Sequence, residues 1–221
     1  MAYVLGYWFA DGNMYYQSGA GGYFVSIGSK DVAHLDALRL VIGAGTLTRI
    51  TGSDVFKLVI CRKEMFDDLL LLGGTERKSL TLAWPEVPDE FLADFVRGYI
   101  SGYINGDGCL SWNKTSSSVQ PMLDVAGTKD FITGLAMATQ VATGIPAPTC
   151  HFHSEINNTW RMMWYGMSAK CFAVWLYDYN VGLCLARKQA IASQFQTWHP
   201  HKFFPHRVTA KMWALFGPYL P

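Results

Sequence analysis

The chain has 221 residues, half of them hydrophobic, and its 18 Lys and Arg against 17 Asp and Glu give a net charge of +1. Its apolar runs are far shorter than the roughly 20 residues of a membrane helix, and no signal-peptide pattern is present, so we expect a soluble intracellular protein. The balanced charge neither supports nor excludes nucleic-acid binding, because the distribution of charge over a face matters more than its sum.

A short segment near the N-terminus is repeated before the middle of the chain. The first copy, VLGYWFADG, runs from Val4 to Gly12, and the second, ISGYINGDG, runs from Ile100 to Gly108. Both contain Gly-Tyr, three intervening residues and Asp-Gly. The repeat predicts internal two-fold symmetry with two matched carboxylates.

Small residues recur every fourth position in both copies. They are Ala2, Gly6 and Ala10 in the first copy, and Gly98, Gly102 and Gly106 in the second. Positions four apart share one face of a helix. Gly in a helix interior costs about 1 kcal/mol relative to Ala, so such glycines need a packing reason. The pattern predicts two closely packed helices, the second beginning after an N-cap at Asp89.

The same elements follow each copy. A hairpin is predicted over 13–17 and 23–27 in the first half, and over 109–113 and 122–126 in the second. Ser29 and Thr128 are the expected N-caps of helices over about 32–42 and 131–141.

A second hairpin then pairs 45–51 with 55–61 in the first half and 148–153 with 160–165 in the second half. Short helices follow over 63–72 and 169–177. This order predicts an α+β fold of two pseudo-symmetric αββαββα halves. The first half would cover 1–78, a linker 79–88, the second half 89–188, and a C-terminal extension 189–221. The basic pairs Arg77-Lys78 and Arg187-Lys188 stand at comparable points of the two halves.

Taken together, these features resemble the LAGLIDADG homing endonucleases in their single-chain, two-motif form. The resemblance covers nearly the whole chain and rests on the paired copies, the Arg-Lys pairs and the helix starts at Lys30-Asp31 and Lys129-Asp130. Phe9 and Asn105 stand where the family motif has its first Asp. The resemblance implies two motif helices paired at the centre and antiparallel sheets that form a saddle along the major groove of DNA.

The resemblance also implies an active site. Asp11 and Asp107 would be catalytic and would bind Mg²⁺ or Mn²⁺ over the minor groove. The backbone carbonyls of Ala10 and Gly106 would help to hold the metal. Phosphodiester hydrolysis needs charge neutralisation and an activated water, and carboxylate-bound Mg²⁺ supplies both. Two matched carboxylates would provide one centre for each DNA strand.

A lysine from each half completes the implied catalytic set. Lys78 and Lys188 would lie near the scissile phosphates, where a positive charge stabilises the charge that develops in the reaction. Each could also position the attacking water.

DNA contacts are predicted from strand alternation. Successive side chains of a strand point to opposite faces, so residues that alternate with the core would face the DNA and read base edges or phosphates. The expected DNA-binding residues are Asn13, Tyr15, Gln17, Lys57, Cys109, Ser111, Asn113 and Arg161. The assignment takes Leu58, Ile60, Met162 and Trp164 as core residues, and a shift of one residue would invert it.

These features favour a monomeric, Mg²⁺-dependent, site-specific endonuclease that cuts double-stranded DNA at a long target site. Two alternatives on the same scaffold stay open: a maturase that binds intron RNA, and a non-catalytic DNA-binding protein. Retention of both Asp11 and Asp107 favours cleavage, because a protein that only binds RNA needs neither. The low net charge mildly favours the two alternatives.

Overall fold

The computed structural model describes residues 1–20, 22–76, 78–86, 92–116, 118–154, 158–178 and 182–221. The helices in these ranges are α1 (Ala2–Asp11), α2 (Val32–Ile42), α3 (Lys63–Leu71), α4 (Lys78–Thr81), α5 (Leu92–Asp107), α6 (Lys129–Thr143), α7 (Gly166–Tyr177), α8 (Ala186–Gln196) and α9 (Ala210–Phe216). The strands are β1 (Gly12–Gln17), β2 (Gly22–Ser29), β3 (Thr46–Arg49), β4 (Phe56–Ile60), β5 (Gly108–Lys114), β6 (Val119–Gly127), β7 (His151–Ser154) and β8 (Thr159–Tyr165). The predicted α+β duplication is confirmed.

The strands form two four-stranded antiparallel sheets with the same order, β1-β2-β4-β3 and β5-β6-β8-β7. In the first sheet Gly28 pairs with Lys57. At the corresponding place of the second sheet, counted from the Asp-Gly that begins it, Ala126 pairs with Arg161. Lys57 and Arg161 are therefore equivalent residues of the two halves.

The two motif helices, α1 and α5, pack against each other at the centre and join both sheets in one hydrophobic core. Their backbones approach closely at glycine. A β-carbon at Gly6 would overlap the carbonyl oxygen of Tyr99, and one at Gly102 would overlap the carbonyl oxygen of Tyr3. The predicted close packing of the small-residue faces is confirmed.

The helices after the first hairpin of each half begin differently. Thr128 caps α6 as predicted, since its Oγ1 accepts a hydrogen bond of 3.3 Å from the Phe131 backbone N–H. The prediction that Ser29 caps α2 is wrong. Ser29 still belongs to β2, where it pairs with Phe56, and Asp31 occupies the N-cap position without a side-chain cap bond. The Ser29 hydroxyl instead accepts a bond of 3.2 Å from the Asp31 N–H.

The segments outside the duplication pack on the second half. Thr128 also donates from its hydroxyl to the Leu82 carbonyl in the predicted linker. Helix α8 continues past the predicted boundary at 188 and packs on α7 and β5, and α9 packs on α6. Buried Lys170 donates a bond of 2.8 Å to the Trp198 carbonyl.

The N-cap predicted at Asp89 lies outside the described residues. Within the described ranges, no helix is long and apolar enough to span a membrane.

His34 is an ionisable group in the interior of the first half. It packs between the rings of Tyr3 and Tyr7, at centroid distances of 5.8 and 4.8 Å. Its Nε2 lies 3.3 Å from the Tyr3 hydroxyl. Burial lowers the pKa of His34 from 6.5 to about 4, against a smaller opposing influence of Asp31. The imidazole is therefore neutral in the folded protein at pH 7.

We predict that this neutral imidazole makes the fold less stable in mild acid. Between pH 6.5 and about 4 the unfolded chain binds a proton at His34 that the folded chain does not, so the stability from this group falls as pH falls. From pH 7 to 4, the free energy of unfolding should fall by up to about 3 kcal/mol more for the wild type than for His34→Gln. Urea unfolding measures both, and a difference independent of pH would contradict the prediction.

Candidate active site

The motif carboxylates lie at the ends of the two central helices. Asp11 is the last residue of α1, and Asp107 is the last residue of α5. The helix ends are close, because a β-carbon at Gly106 would lie only 3.3 Å from Oδ2 of Asp11. Both aspartates are open to solvent on one side. The duplicated motif thus places two acidic side chains, one from each half, at a common surface.

The environment of these carboxyl groups disfavours their ionisation. Loss of water around the group, followed by the negative charge of Asp11, raises the pKa of Asp107 from 3.8 to about 6. Burial likewise raises the pKa of Asp11. Nearby lysines and tyrosine hydroxyls oppose both shifts without cancelling them. A cation bound between the two carboxyl groups would oppose both shifts, because an opposite charge nearby favours the ionised form.

Two lysines lie directly beneath the helix ends, and their residues are only 5% (Lys78) and 4% (Lys188) exposed. Lys78 Nζ donates to the carbonyls of Phe9 and Ala10 at 2.8 and 3.0 Å. Lys188 Nζ lies 2.6 to 3.1 Å from four carbonyl oxygens, which share its three N–H donors: those of Ile104, Asn105, Gly106 and Gly108. The last carbonyls of a helix lack intrahelical donors and carry partial negative charge, so each ammonium group caps its own motif helix.

The pKa of each aspartate is lowered more by the lysine of the other half than by the lysine of its own half. Lys78 lowers the pKa of Asp107 more than Lys188 does, whereas Lys188 lowers the pKa of Asp11 more than Lys78 does. A cavity of about 230 Å³ is lined by both Lys78 and Asp107. Lys78 and Asp107, which come from different halves, therefore line one cavity, and both lysines lower the pKa of both aspartates.

Burial lowers the pKa of both Lys78 and Lys188 from 10.5 to about 8. The two aspartates oppose this shift in each case. Arg187 adds to the shift at Lys188. The lysines are therefore held as buried cations whose charge depends on the carboxylates beside them.

We predict that Lys188→Met destabilises the protein more than Lys78→Met does. The first change removes the donor group shared by four carbonyls, and the second removes the donor group shared by two. A hydrogen bond to a charged group contributes about 1.5–3 kcal/mol, so Lys188→Met should lower the free energy of unfolding by about 3 kcal/mol or more. Urea denaturation of both variants tests the order, and equal losses would show that carbonyl capping is not the cause.

Two tyrosine hydroxyls beside the carboxylates were missed by the sequence reasoning about the site. The hydroxyl groups of Tyr7 and Tyr103 lower the pKa of Asp11 and Asp107, respectively. In the structure the Tyr103 hydroxyl donates its proton to the Ala126 carbonyl, over 3.0 Å. The signal was present, because both copies carry Gly-Tyr with the Tyr four residues before the Asp, a spacing that places both on one helix face.

Arg187 brings the second half into contact with the first beside the site. Its Nε lies 3.3 Å from Oδ2 of Asp31. Its positive charge lowers the pKa of Asp11. The sequence identified the Arg187-Lys188 pair, but only the fold distinguishes an exposed arginine that joins the halves from a buried lysine that caps a helix.

The expected DNA-binding residues lie on the sheet faces directed away from the core. The predicted core residues Leu58, Ile60, Met162 and Trp164 are all buried, at 0 to 3% exposure. The alternating positions on the opposite face are Asn13, Tyr15, Gln17, Lys57, Cys109, Ser111, Asn113 and Arg161. Lys57 Nζ lies 5.5 Å from the centre of the Tyr15 ring, so these two side chains share that face. Their role in DNA binding stays a prediction.

Comparison with known proteins identifies the fold. The sequence matches no protein-family model and no curated protein. Among solved structures, meganuclease I-SmaMI bound to uncleaveable DNA is similar over 98% of this chain and 97% of its own, with 14% identity and a TM-score of 0.59. LAGLIDADG meganuclease I-AabMI bound to uncleaved DNA is similar over 87% of both chains, with 12% identity and a TM-score of 0.59.

The I-LtrWI LAGLIDADG homing endonuclease bound to target DNA covers 88% of this chain and 87% of its own, with 9% identity and a TM-score of 0.57. The chain therefore has the fold of the single-chain LAGLIDADG homing endonucleases. At identities this low the likeness establishes the fold, and the chemistry has to be argued from the residues of this chain.

Proposed function

We propose that the protein is a site-specific endonuclease that hydrolyses one phosphodiester bond in each strand of a DNA duplex. The observation that carries the proposal is the meeting of Asp11 and Asp107 at the helix ends, above two buried lysines. Two aspartates related by the internal duplication match the two strands of a duplex. A protein that only binds nucleic acid needs no such pair of carboxylates.

The donor set at this site suits Mg²⁺ or Mn²⁺. Mg²⁺ is usually bound by one or two carboxylates together with phosphate oxygens and water, rather than by a cage of protein ligands. Two such carboxylates, Asp11 and Asp107, are available at the helix ends. Bound between Asp11 and Asp107, such a cation would neutralise the phosphate and make a bound water more acidic.

The backbone carbonyls assigned to the metal have a second role. Those of Ala10 and Gly106 accept hydrogen bonds from Lys78 and Lys188, at 3.0 and 3.1 Å. A carbonyl oxygen has two lone pairs, so one remains on each for a metal or its bound water. The lysines thus fix the direction of these carbonyls and place positive charge behind each centre, where it stabilises the charge that develops on the phosphate.

The two sheets provide the surface for the duplex. Both present polar residues on the face away from the core, and one chain carries both sheets, so a monomer would contact both halves of a long target site. Alternating Asn, Tyr, Gln, Ser, Lys and Arg side chains can reach base edges and phosphates. The eight predicted DNA-binding residues are assigned to this contact.

The proposal is tested by selecting cleaved molecules from a random DNA library incubated with the protein and Mg²⁺. We expect double-strand cuts within one long consensus sequence, and no cutting when EDTA removes the metal. Specific DNA binding without cutting would favour the non-catalytic alternative. Splicing of a host intron that depends on the protein, with no DNA cut, would favour the maturase.

A further inference from the structure

An acidic side chain is buried on the sheet face assigned to DNA. Asp124 lies in β6 between the core residues Leu123 and Val125, so its side chain points to the opposite face. Its side chain is nevertheless only 3% exposed. The equivalent residue of the first half, counted from the Asp-Gly, is the neutral Ser26. A carboxylate facing DNA repels phosphates and needs a compensating partner.

Arg161 of the neighbouring strand β8 is that partner. Its Nε donates to Oδ1 of Asp124 at 3.2 Å, and its Nη2 donates to Oδ2. Two parallel bonds of this kind fix the plane of the guanidinium group. The Arg161 side chain is 36% exposed, so the group is held from below by a buried acid and remains accessible from the DNA side.

This arrangement is suited to a base rather than to a phosphate. The Asp124–Arg161 pair has no net charge, which removes most of the attraction that a free arginine exerts on the DNA backbone. The pairing uses Nε–H and one Nη2–H of the five guanidinium N–H groups. The Nη1–Nη2 edge is directed away from Asp124, and an arginine edge of this shape matches the two acceptors, O6 and N7, of guanine in the major groove.

We infer that Arg161, held in position by Asp124, recognises one guanine in the half of the target site bound by the second sheet. Ala126, which pairs with Arg161, lines the cavity that contains Asp107. The guanine therefore lies in the inner part of that half-site, close to the cleavage position. The first half has Lys57 in place of Arg161 and Ser26 in place of Asp124. The base preference at this position therefore differs between the two half-sites. The inference rests on the proposed function and adds to it the identity of one base that the protein recognises.

The experiment compares base preferences of the wild type and two conservative variants at every position of the selected target site. The wild type should require guanine at one inner position. Arg161→Lys keeps the charge but lacks the planar fork, and should reduce the preference for guanine there about tenfold or more. Asp124→Asn should weaken the same preference, because it releases the arginine. All other positions should keep their preferences.

Two controls separate base reading from other roles. Lys57→Gln, the equivalent change in the first half, should alter only the other half-site. In the double variant Arg161→Gln with Asp124→Asn, the slope of binding against salt should not change, whereas loss of a phosphate contact would reduce it by about one. Unaltered base preferences in Arg161→Lys, or an equal loss for all sequences with a smaller salt slope, would overturn the inference. A wild-type protein that binds no DNA would overturn the proposed function as well. If the inference alone fails, the wild type still binds and cuts its selected site, so the two failures are distinguishable.

Discussion

Replacement of Asp107 by Asn should abolish double-strand cleavage while specific DNA binding and folding are retained, and Asp11→Asn should do the same. Each change removes one charged ligand from the shared site but preserves the shape of the side chain. Metal-assisted charge stabilisation contributes several kcal/mol, so we expect the rate of double-strand cleavage to fall about a thousandfold or more. Cleavage assays on the selected site, together with binding in Ca²⁺ in place of Mg²⁺, measure the two properties separately.

These variants should also be more stable than the wild type at neutral pH. The folded state raises the pKa of Asp107 from 3.8 to about 6, so ionisation of this group opposes folding above that range. Asn carries no charge and removes the penalty. The advantage of Asp107→Asn should therefore be largest at pH 7 and disappear as the pH falls below the unfolded pKa of 3.8, where the wild-type carboxyl group is protonated in both states.

Asp67→Asn provides a matched control. Asp67 forms an exposed ion pair with Lys63, at 2.5 Å, and such pairs contribute little to stability. This variant should cleave at the wild-type rate with unchanged stability. Full cleavage by Asp11→Asn or Asp107→Asn would show that the motif aspartates are not the metal ligands. Lost cleavage combined with lost stability would point to a structural role instead.

The architecture of this protein follows closely from local sequence patterns. Duplicated Asp-Gly segments, alternating strands and small residues four apart each depend on neighbours along the chain, and all reappear in the structure. The failure at Ser29 has a local cause, since β2 extends through this residue to pair with Phe56. The length of β2 is determined by its partner strand β4, and the N-cap pattern around Ser29 carries no information about that strand.

The chemistry of the site depends on contacts between the halves, and sequence patterns do not contain these. Lys78 and Lys188 were expected beside phosphates because they are basic. Only the crossing of α1 and α5 shows that both are buried beneath helix ends and act more strongly on the opposite aspartate. Likewise, Asp124 is an ordinary strand residue in the sequence until Arg161 from the next strand is placed against it.

Among the glycines that the structure describes, Gly6 and Gly102 at the helix crossing should lose the most stability when replaced by Ala. Gly6→Ala would place its β-carbon against the Tyr99 carbonyl, and Gly102→Ala would place it against the Tyr3 carbonyl. These atoms belong to backbone inside helices, so neither can move alone. Overpacking of this kind costs about 3 kcal/mol, which corresponds to a melting temperature lower by roughly 6–12 °C for a chain of this length. Thermal unfolding measures it.

The same helix provides a graded comparison. A β-carbon at Gly98 would lie 3.1 Å from the Ala2 β-carbon and 3.4 Å from the Tyr3 backbone nitrogen, which is crowding without overlap. Gly98→Ala should therefore be nearly neutral, because Ala gains roughly 1 kcal/mol over Gly in a helix. Gly217→Ala, with no atom within 4 Å of its β-carbon, controls for the substitution itself. Because the crossing also brings Asp11 and Asp107 together, Gly102→Ala should lose cleavage even below its melting temperature. Normal cleavage by that variant would mean that the ends of α1 and α5 can meet without the close contact between Gly102 and the Tyr3 carbonyl.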